Sequence, residues 1–239
     1  SPDALDRFLA DAVMEKQDGL YNRKTGRRIA ACVPVHVFGL PCRIDEIAHI
    51  CRRYGIPLVE DAAEALGTRY QQTHAGRFGQ MGVLSFNGNK IITTGGGGAV
   101  ITDDHSLAAA VRHLTTTARV TDELEFYHDR VGYNYRMPNL NAALGCAQLE
   151  RLDEFVCKKR LLADSYARFF SDLQMEFVKE VEDSEANCWL NAVKMDTVDN
   201  RTRFIKTLVA ADIMARPVWR LMNELPMYRH CQTDLLKNA

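Results

Sequence analysis

The strongest constraint on this chain is the alternation of short apolar, β-branched runs with longer stretches of helical periodicity. Ile29 to Phe38 is an apolar run that reads as a buried strand. Ile44 to Tyr54 places Ile44, Ile47, Ala48, Ile50 and Cys51 on one helical face, and Gly55 stops it. Pro57-Leu58-Val59-Glu60 is a second short strand, ending at Asp61. Val83 to Asn87 and Ala99 to Thr102 read as further strands, and Ser106 to Thr116 as a helix. Buried strands separated by amphipathic helices imply βαβ units. The expected class is α/β, a mainly parallel sheet with helices on both faces.

The two ends of the chain extend this pattern. Ser1-Pro2-Asp3 is an N-cap, a proline at the first helical position and an acid in the first turn. Ala4, Leu5, Phe8, Leu9, Ala12 and Val13 then recur at helical spacing. Pro138 to Phe170 keeps a helical rhythm with no breaker after Gly145, which predicts one long helix leaving the sheet domain. Beyond it, Ala192 to Met195, Arg201 to Ala211 and Ile213 to Val218 suggest a smaller α+β unit. The expected division is a large unit over 1–155 and a small one over 156–239.

Composition excludes several functions. The net charge is −1 with the signs interspersed, which gives no broad attraction to nucleic acid or anionic membrane. No apolar run approaches the length of a membrane span. The seven cysteines form no CxxC pair, against both a disulfide framework and a zinc site. Reduced thiols in a cytoplasmic protein are expected, with no metal. Both ends read as cut: the chain opens on Ser1, and Thr233 to Ala239 stops without a clear terminator.

Chemistry concentrates around two residues. Asp61 follows a strand, and in open α/β sheets the ligand crevice lies beyond the carboxyl ends of strands. Lys90 follows another candidate strand in Ser85-Phe86-Asn87-Gly88-Asn89-Lys90. A lysine set among Asn, Gly and Ile suits Schiff-base chemistry, because burial favours the neutral, nucleophilic amine. Gly95-Gly96-Gly97-Gly98 lacks the GxxxxGK[ST] order of a phosphate loop and reads as a close backbone approach. His36 reads either as a polar residue lining the pocket or as a satisfied core histidine, since no second metal ligand stands at helical or strand spacing. Arg77 and Arg136 suit a diphosphate or a carboxylate, and equally suit a surface ion pair.

Val59-Glu60-Asp61-Ala62-Ala63-Glu64-Ala65-Leu66-Gly67 and Ser85-Phe86-Asn87-Gly88-Asn89-Lys90 closely resemble the DegT/StrS family of sugar aminotransferases. Val35-His36-Val37-Phe38-Gly39 and Val131-Gly132-Tyr133-Asn134-Tyr135-Arg136-Met137 resemble further segments of that family, in the expected order. The resemblance implies a fold-type I, aspartate-aminotransferase-like enzyme that uses pyridoxal 5'-phosphate on nucleotide-linked keto-sugars. It implies Lys90 as the Schiff-base lysine and catalytic proton carrier, and Asp61 as partner of the pyridine nitrogen. An opposite charge at contact is worth about 4 kcal/mol before desolvation, enough to hold the pyridinium. It further implies Ser85 as a donor to the phosphate. Asn134 would reach the cofactor phosphate of the neighbouring subunit, so a homodimer with a shared site is expected. His36, Arg77 and Arg136 would face the substrates, a nucleotide-sugar and an amino-acid donor such as glutamate.

Glu64 departs from the commoner pattern, in which a glutamine contacts the cofactor's phenolic oxygen; the expectation is a proton shared between the two. The run Lys90 to Gly98 with Glu64 resembles most the branch that aminates UDP-4-keto-6-deoxy-N-acetylhexosamine, of the legionaminic-acid or bacillosamine type. Two rivals stand beside this reading. Sugar dehydratases of the same superfamily carry histidine where Lys90 stands. A non-catalytic or incomplete fragment would keep the fold without turnover. Family members have a further N-terminal segment that binds the phosphate and stacks on the ring, so this piece alone is expected to bind the cofactor weakly or not at all.

Overall fold

The computed structural model describes residues 1–122, 124–234 and 236, so much of the stretch 233–239 lies outside the described residues. Helix α1 (Pro2–Ala12) is capped by the Ser1 hydroxyl, which accepts from the Ala4 N–H. It leads into a hairpin of β1 (Val13–Lys16) and β2 (Gly19–Asn22). The sequence reading missed this hairpin. Its signal was Asp18-Gly19, a turn dipeptide that tolerates the positive φ a tight hairpin demands. Helix α2 (Ile44–Arg53) buries the expected face, Ile44, Ile47, Ala48, Ile50 and Cys51. These pack with Leu58 and Tyr70, while Leu9 and Val13 join Ile50 and Ile56 in an adjoining cluster. Each such fully buried aliphatic side chain contributes about 2 kcal/mol of transfer free energy.

The central ladder contains β3 (Val59–Asp61), reached before two short strands, β4 (Arg69–Tyr70) and β5 (Thr73–His74). Next come β6 (Met81–Ser85) and β7 (Gly98–Ile101). β3 pairs parallel with β6, and β6 pairs antiparallel with β7. Residues 32–36 run parallel along the other side of β3, with Asp61 N–H donating to Pro34 O and His36 N–H to Asp61 O. Two expectations are corrected here. The sheet is mixed, because β7 returns antiparallel through the glycine run instead of crossing over a helix. Ile29 to Phe38 is not a strand buried on both faces, since Val33, Val35 and Val37 are 59%, 43% and 44% exposed. It meets β3 through isolated bridges only.

Helix α3 (His105–Thr115) is capped by Asp104 and precedes the short pair β8 (Arg119–Val120) and β9 (Tyr127–His128). The single helix expected over Pro138 to Phe170 is two, α4 (Asn139–Leu149) and α5 (Leu152–Asp172). They break at Glu150 and Arg151, where the chain bends. α4 thereby braces the loop behind Lys90, while Leu152 and Phe155 of α5 reach the cluster around Ala62 and Leu84. The C-terminal part pairs β10 (Glu176–Phe177) with β12 (Val193–Lys194), and β11 (Ser184–Glu185) with β4. It continues through α6 (Val198–Ala210); Ile213 to Val218 then holds no regular element, and two short 3-10 turns follow, Met222–Glu224 and Pro226–Tyr228.

A buried carboxylate organises the centre. Glu60 is fully buried and accepts from Gly76, Phe78 and Gly79 N–H at 2.8, 2.6 and 2.7 Å. His36, also fully buried, meets it through Nε2 at 3.0 Å. Cys42 N–H donates to His36 Nδ1 at 3.1 Å, so Nε2 carries the ring proton and donates to Glu60. Burial raises the Glu60 pKa, but the bonds from His36, Gly76 and Gly79 outweigh it and hold the carboxyl below the ordinary carboxylate range. A depressed native pKa contributes stability that is present above the unfolded value and lost as pH falls through the native one. Glu60→Gln should therefore lower unfolding free energy by about 3 kcal/mol at pH 7. Urea unfolding at falling pH checks this, with the gap between variant and wild type narrowing once the wild-type carboxyl is protonated.

Candidate active site

The register of the parallel pair sets the site. Asp61 at the end of β3 lies opposite Val83, so Asp61 and Ser85 occupy the carboxyl ends of neighbouring strands. One Asp61 oxygen accepts from Ala63 N–H at 3.1 Å. The Ser85 hydroxyl accepts from Asn87 N–H at 3.4 Å. From Ser85 the chain makes a loop that comes back on itself: Lys90 N–H donates to Asn87 O, and Thr94 N–H to Phe86 O. The Gln148 side chain from α4 accepts from Thr93 N–H at 2.9 Å and fixes the returning limb. Gly98 then passes so close to Leu84 that a Cβ there would strike its carbonyl oxygen. The close approach belongs to Gly98, whereas Gly95 and Gly97 hold φ of +80° and +107° in the turn before it.

Lys90 points into the protein. Its side chain is 14% exposed, and its Nζ lies 3.7 Å from Glu64 Oε1. Among the described residues Glu64 is the carboxylate within ion-pair distance of the amine. The other Glu64 oxygen accepts from Phe38 N–H at 2.6 Å. Phe38 takes a left-handed φ of 63°, unusual for an aromatic residue, and this conformation aims its N–H at Glu64. Lys90 Nζ also sits 3.9 Å from the centroid of the Trp189 ring.

Sequence reasoning missed Trp189. It is 3% exposed, donates from Nε1 to Asn89 O at 2.6 Å, and stacks on Trp219 at 6.2 Å. Phe38 in turn lies 5.7 Å from Trp219. The only signal was the scarcity of tryptophan, two in the chain, because no periodicity links residues about a hundred positions apart. Asn187 anchors this strip. Its side chain donates to Glu64 O and Leu66 O and accepts from Trp189 N–H.

The remaining candidates lie elsewhere. His36 is a core histidine and not a pocket residue, since both ring nitrogens are used and none is exposed. Arg77 is 56% exposed and pairs with Asp103 at 3.2 Å, a surface ion pair. Arg136 and Asn134 are exposed; Asn134 bridges to Thr116, and its sequence neighbours Tyr133 and Tyr135 stack their rings on each other. A shielded primary amine beside a carboxylate is suited to forming an imine with a carbonyl compound and then carrying a proton.

The sequence pattern of the DegT/DnrJ/EryC1/StrS aminotransferase family matches residues 19–239. The chain belongs to this family. It is 38% identical over 216 residues to a GDP-perosamine synthase of Caulobacter vibrioides, covering 89% of this chain and 58% of the relative. It is 36% identical over 229 residues to EpsN of Bacillus subtilis, covering 95% of this chain and 56% of the relative. The name of EpsN assigns it to the pyridoxal phosphate-dependent aminotransferases. Among solved structures, the aminotransferase TlmJ of Streptoalloteichus hindustanus matches with a TM-score of 0.80 at 28% identity, over 86% of this chain and 56% of that one. This family member spans a little over half the length of the relatives it matches.

Gly39 tests how tightly the site is built. It holds a φ of +82°, and an added Cβ would strike Asn187 Oδ1, whose residue orients both Glu64 and Trp189. Gly39→Ala should cost about 2 kcal/mol of unfolding free energy, through left-handed strain and the clash together. Chemical denaturation measures the loss, and an unchanged midpoint would contradict the geometry.

Proposed function

We propose that this chain carries the cofactor-binding lysine of a pyridoxal 5'-phosphate-dependent aminotransferase. The whole enzyme would move an amino group from an amino acid, glutamate by family analogy, to a nucleotide-linked keto-sugar. One observation carries the reading: Lys90 is a shielded amine held beside Glu64, on the loop that leaves the same sheet edge as Asp61 and Ser85. The donor set fits the cofactor. An amine suits its aldehyde, a carboxylate its ring nitrogen, and a hydroxyl at a strand end its phosphate. Family membership and the names of the relatives point the same way.

Pyridoxal phosphate, when bound, supplies the carbonyl for amine exchange and a ring that accepts electrons. The chain's own residues do the rest. Lys90 binds the cofactor and, once released, acts as the base that moves a proton to and from the donor's Cα. Asp61 keeps the ring nitrogen protonated, and Ser85 orients the phosphate. Glu64 would share a proton with the phenolic oxygen. Arg136, exposed beside Asn134, would take an anionic substrate group. The fold-type I arrangement follows from this reading, with the large unit giving way to the small one near residue 155, inside α5. The exposed side chains of Leu124, Phe126, Val131 and Leu140 favour a second copy against the segment that holds Asn134. The resemblance favours a UDP-linked 4-keto-6-deoxy-N-acetylhexosamine, whereas the GDP-perosamine synthase among the relatives favours a GDP-linked sugar.

Pyridoxal phosphate added to the chain should give a visible absorbance band distinct from the free compound. Borohydride reduction followed by peptide mass mapping should then place the adduct on Lys90. Lys90→Ala should abolish both, and glutamate should bleach the band in the wild type. A spectrum identical to free pyridoxal phosphate, with label spread over surface lysines, would instead favour a module that keeps the fold without turnover.

A further inference from the structure

We propose that Glu64 and the indole face of Trp189 form an ammonium seat that holds the free Lys90 amine and, once Lys90 is engaged elsewhere, the ammonium of an incoming amino compound. The inference rests on Lys90 being the amine that binds the cofactor, and it adds a subsite for the donor. Nothing about the seat requires the ammonium to belong to Lys90. It offers one carboxylate oxygen at 3.7 Å and one aromatic face at 3.9 Å, the pair of partners that a primary ammonium satisfies together.

Both partners are fixed before any ligand arrives. Glu64 is held through its second oxygen by Phe38 N–H, and through its backbone carbonyl by Asn187. Trp189 is pinned by its Nε1 to Asn89 O, by its N–H to Asn187 Oδ1, and from behind by Trp219, whose ring lies 11° from parallel. The carboxylate side chain is 16% exposed, so leaving it without a cation would be costly. When Lys90 swings away to bind a carbonyl, that carboxylate and that ring face lose their cation together, and the proton that Glu64 would share with the cofactor's phenolic oxygen stands in for it until a donor ammonium arrives. A donor ammonium held in the same place would sit at the end of the Lys90 side chain, and it would give a proton to Glu64, the carboxylate in contact with it, before its nitrogen could serve in amine exchange. Trp189 comes from the C-terminal part of the chain, so the seat also ties that part to the lysine loop.

The test needs no cofactor. Lys90→Ala vacates the seat, and ethylammonium chloride should then raise the thermal unfolding midpoint saturably above an equal concentration of sodium chloride. The rise should be about 3 °C at ten times the dissociation constant. Tetramethylammonium, which has no N–H to donate, should do less. Lys90→Met, which fills the space without charge, should show no such shift, and adding Glu64→Gln to Lys90→Ala should remove it. The intact chain gives a second measurement should Lys90→Ala not fold. Acylation of Lys90 by a neutral ester reagent, mapped by mass spectrometry, should quicken about five-fold in Trp189→Leu. It should quicken also in Glu64→Gln, and near-UV circular dichroism checks that both variants keep their packing. Equal responses of Lys90→Ala to ethylammonium and sodium would overturn the seat, as would an unchanged Lys90 acylation rate in both variants. Failure of the borohydride adduct to appear at Lys90 would sink the cofactor reading and leave these results standing.

Discussion

A carboxylate with no access to solvent must be paired or neutralised, and Glu60 meets that demand with three backbone N–H groups and a histidine. Those partners come from the segment beside β3 and from the turn before β6. A single side chain therefore ties three stretches of backbone at one point of the sheet. Asp61 is the next residue, and its carbonyl accepts from the same His36. The position of the site acid is a consequence of how the glutamate before it is satisfied.

The lysine loop depends on a second set of polar anchors. Gln148 of α4 holds one limb, Trp189 holds the carbonyl of Asn89, and Asn187 links the turn after Asp61 to the tryptophan. These are side-chain bonds to backbone, each worth about 1 kcal/mol net but expensive to leave unmade. They make the loop one fixed conformation instead of a flexible connection. The left-handed Phe38 belongs to the same arrangement, its strain balanced by a bond to Glu64.

Local pattern carried much of this architecture. α1 with its serine cap, the buried face of α2, the strands leading to Asp61 and Ser85, and the close backbone approach in the glycine run were all legible, since each depends on residues within a few positions. The reading went astray where long-range contact overrode the pattern. The helical rhythm of 138–170 is continuous, yet the chain bends at Arg151 so that two helices can serve different neighbours. The apolar run 29–38 resembles a strand covered on both faces, yet its valines alternate outward. His36 stayed open between a pocket residue and a core histidine, because a histidine's role depends on what stands opposite and Glu60 lies 24 positions away.

By itself, then, the sequence determined the family: an aspartate and a serine at strand ends and a lysine on the loop that follows, in segments whose order identifies it. Only the tertiary structure decided which groups share a space. It set Lys90 beside Glu64, and brought Trp189 from about a hundred residues away to form the other wall. The physical reason is that strand ends and helix faces are written in local periodicity, whereas the partner of a buried charge is chosen by whatever the completed fold places within bonding distance.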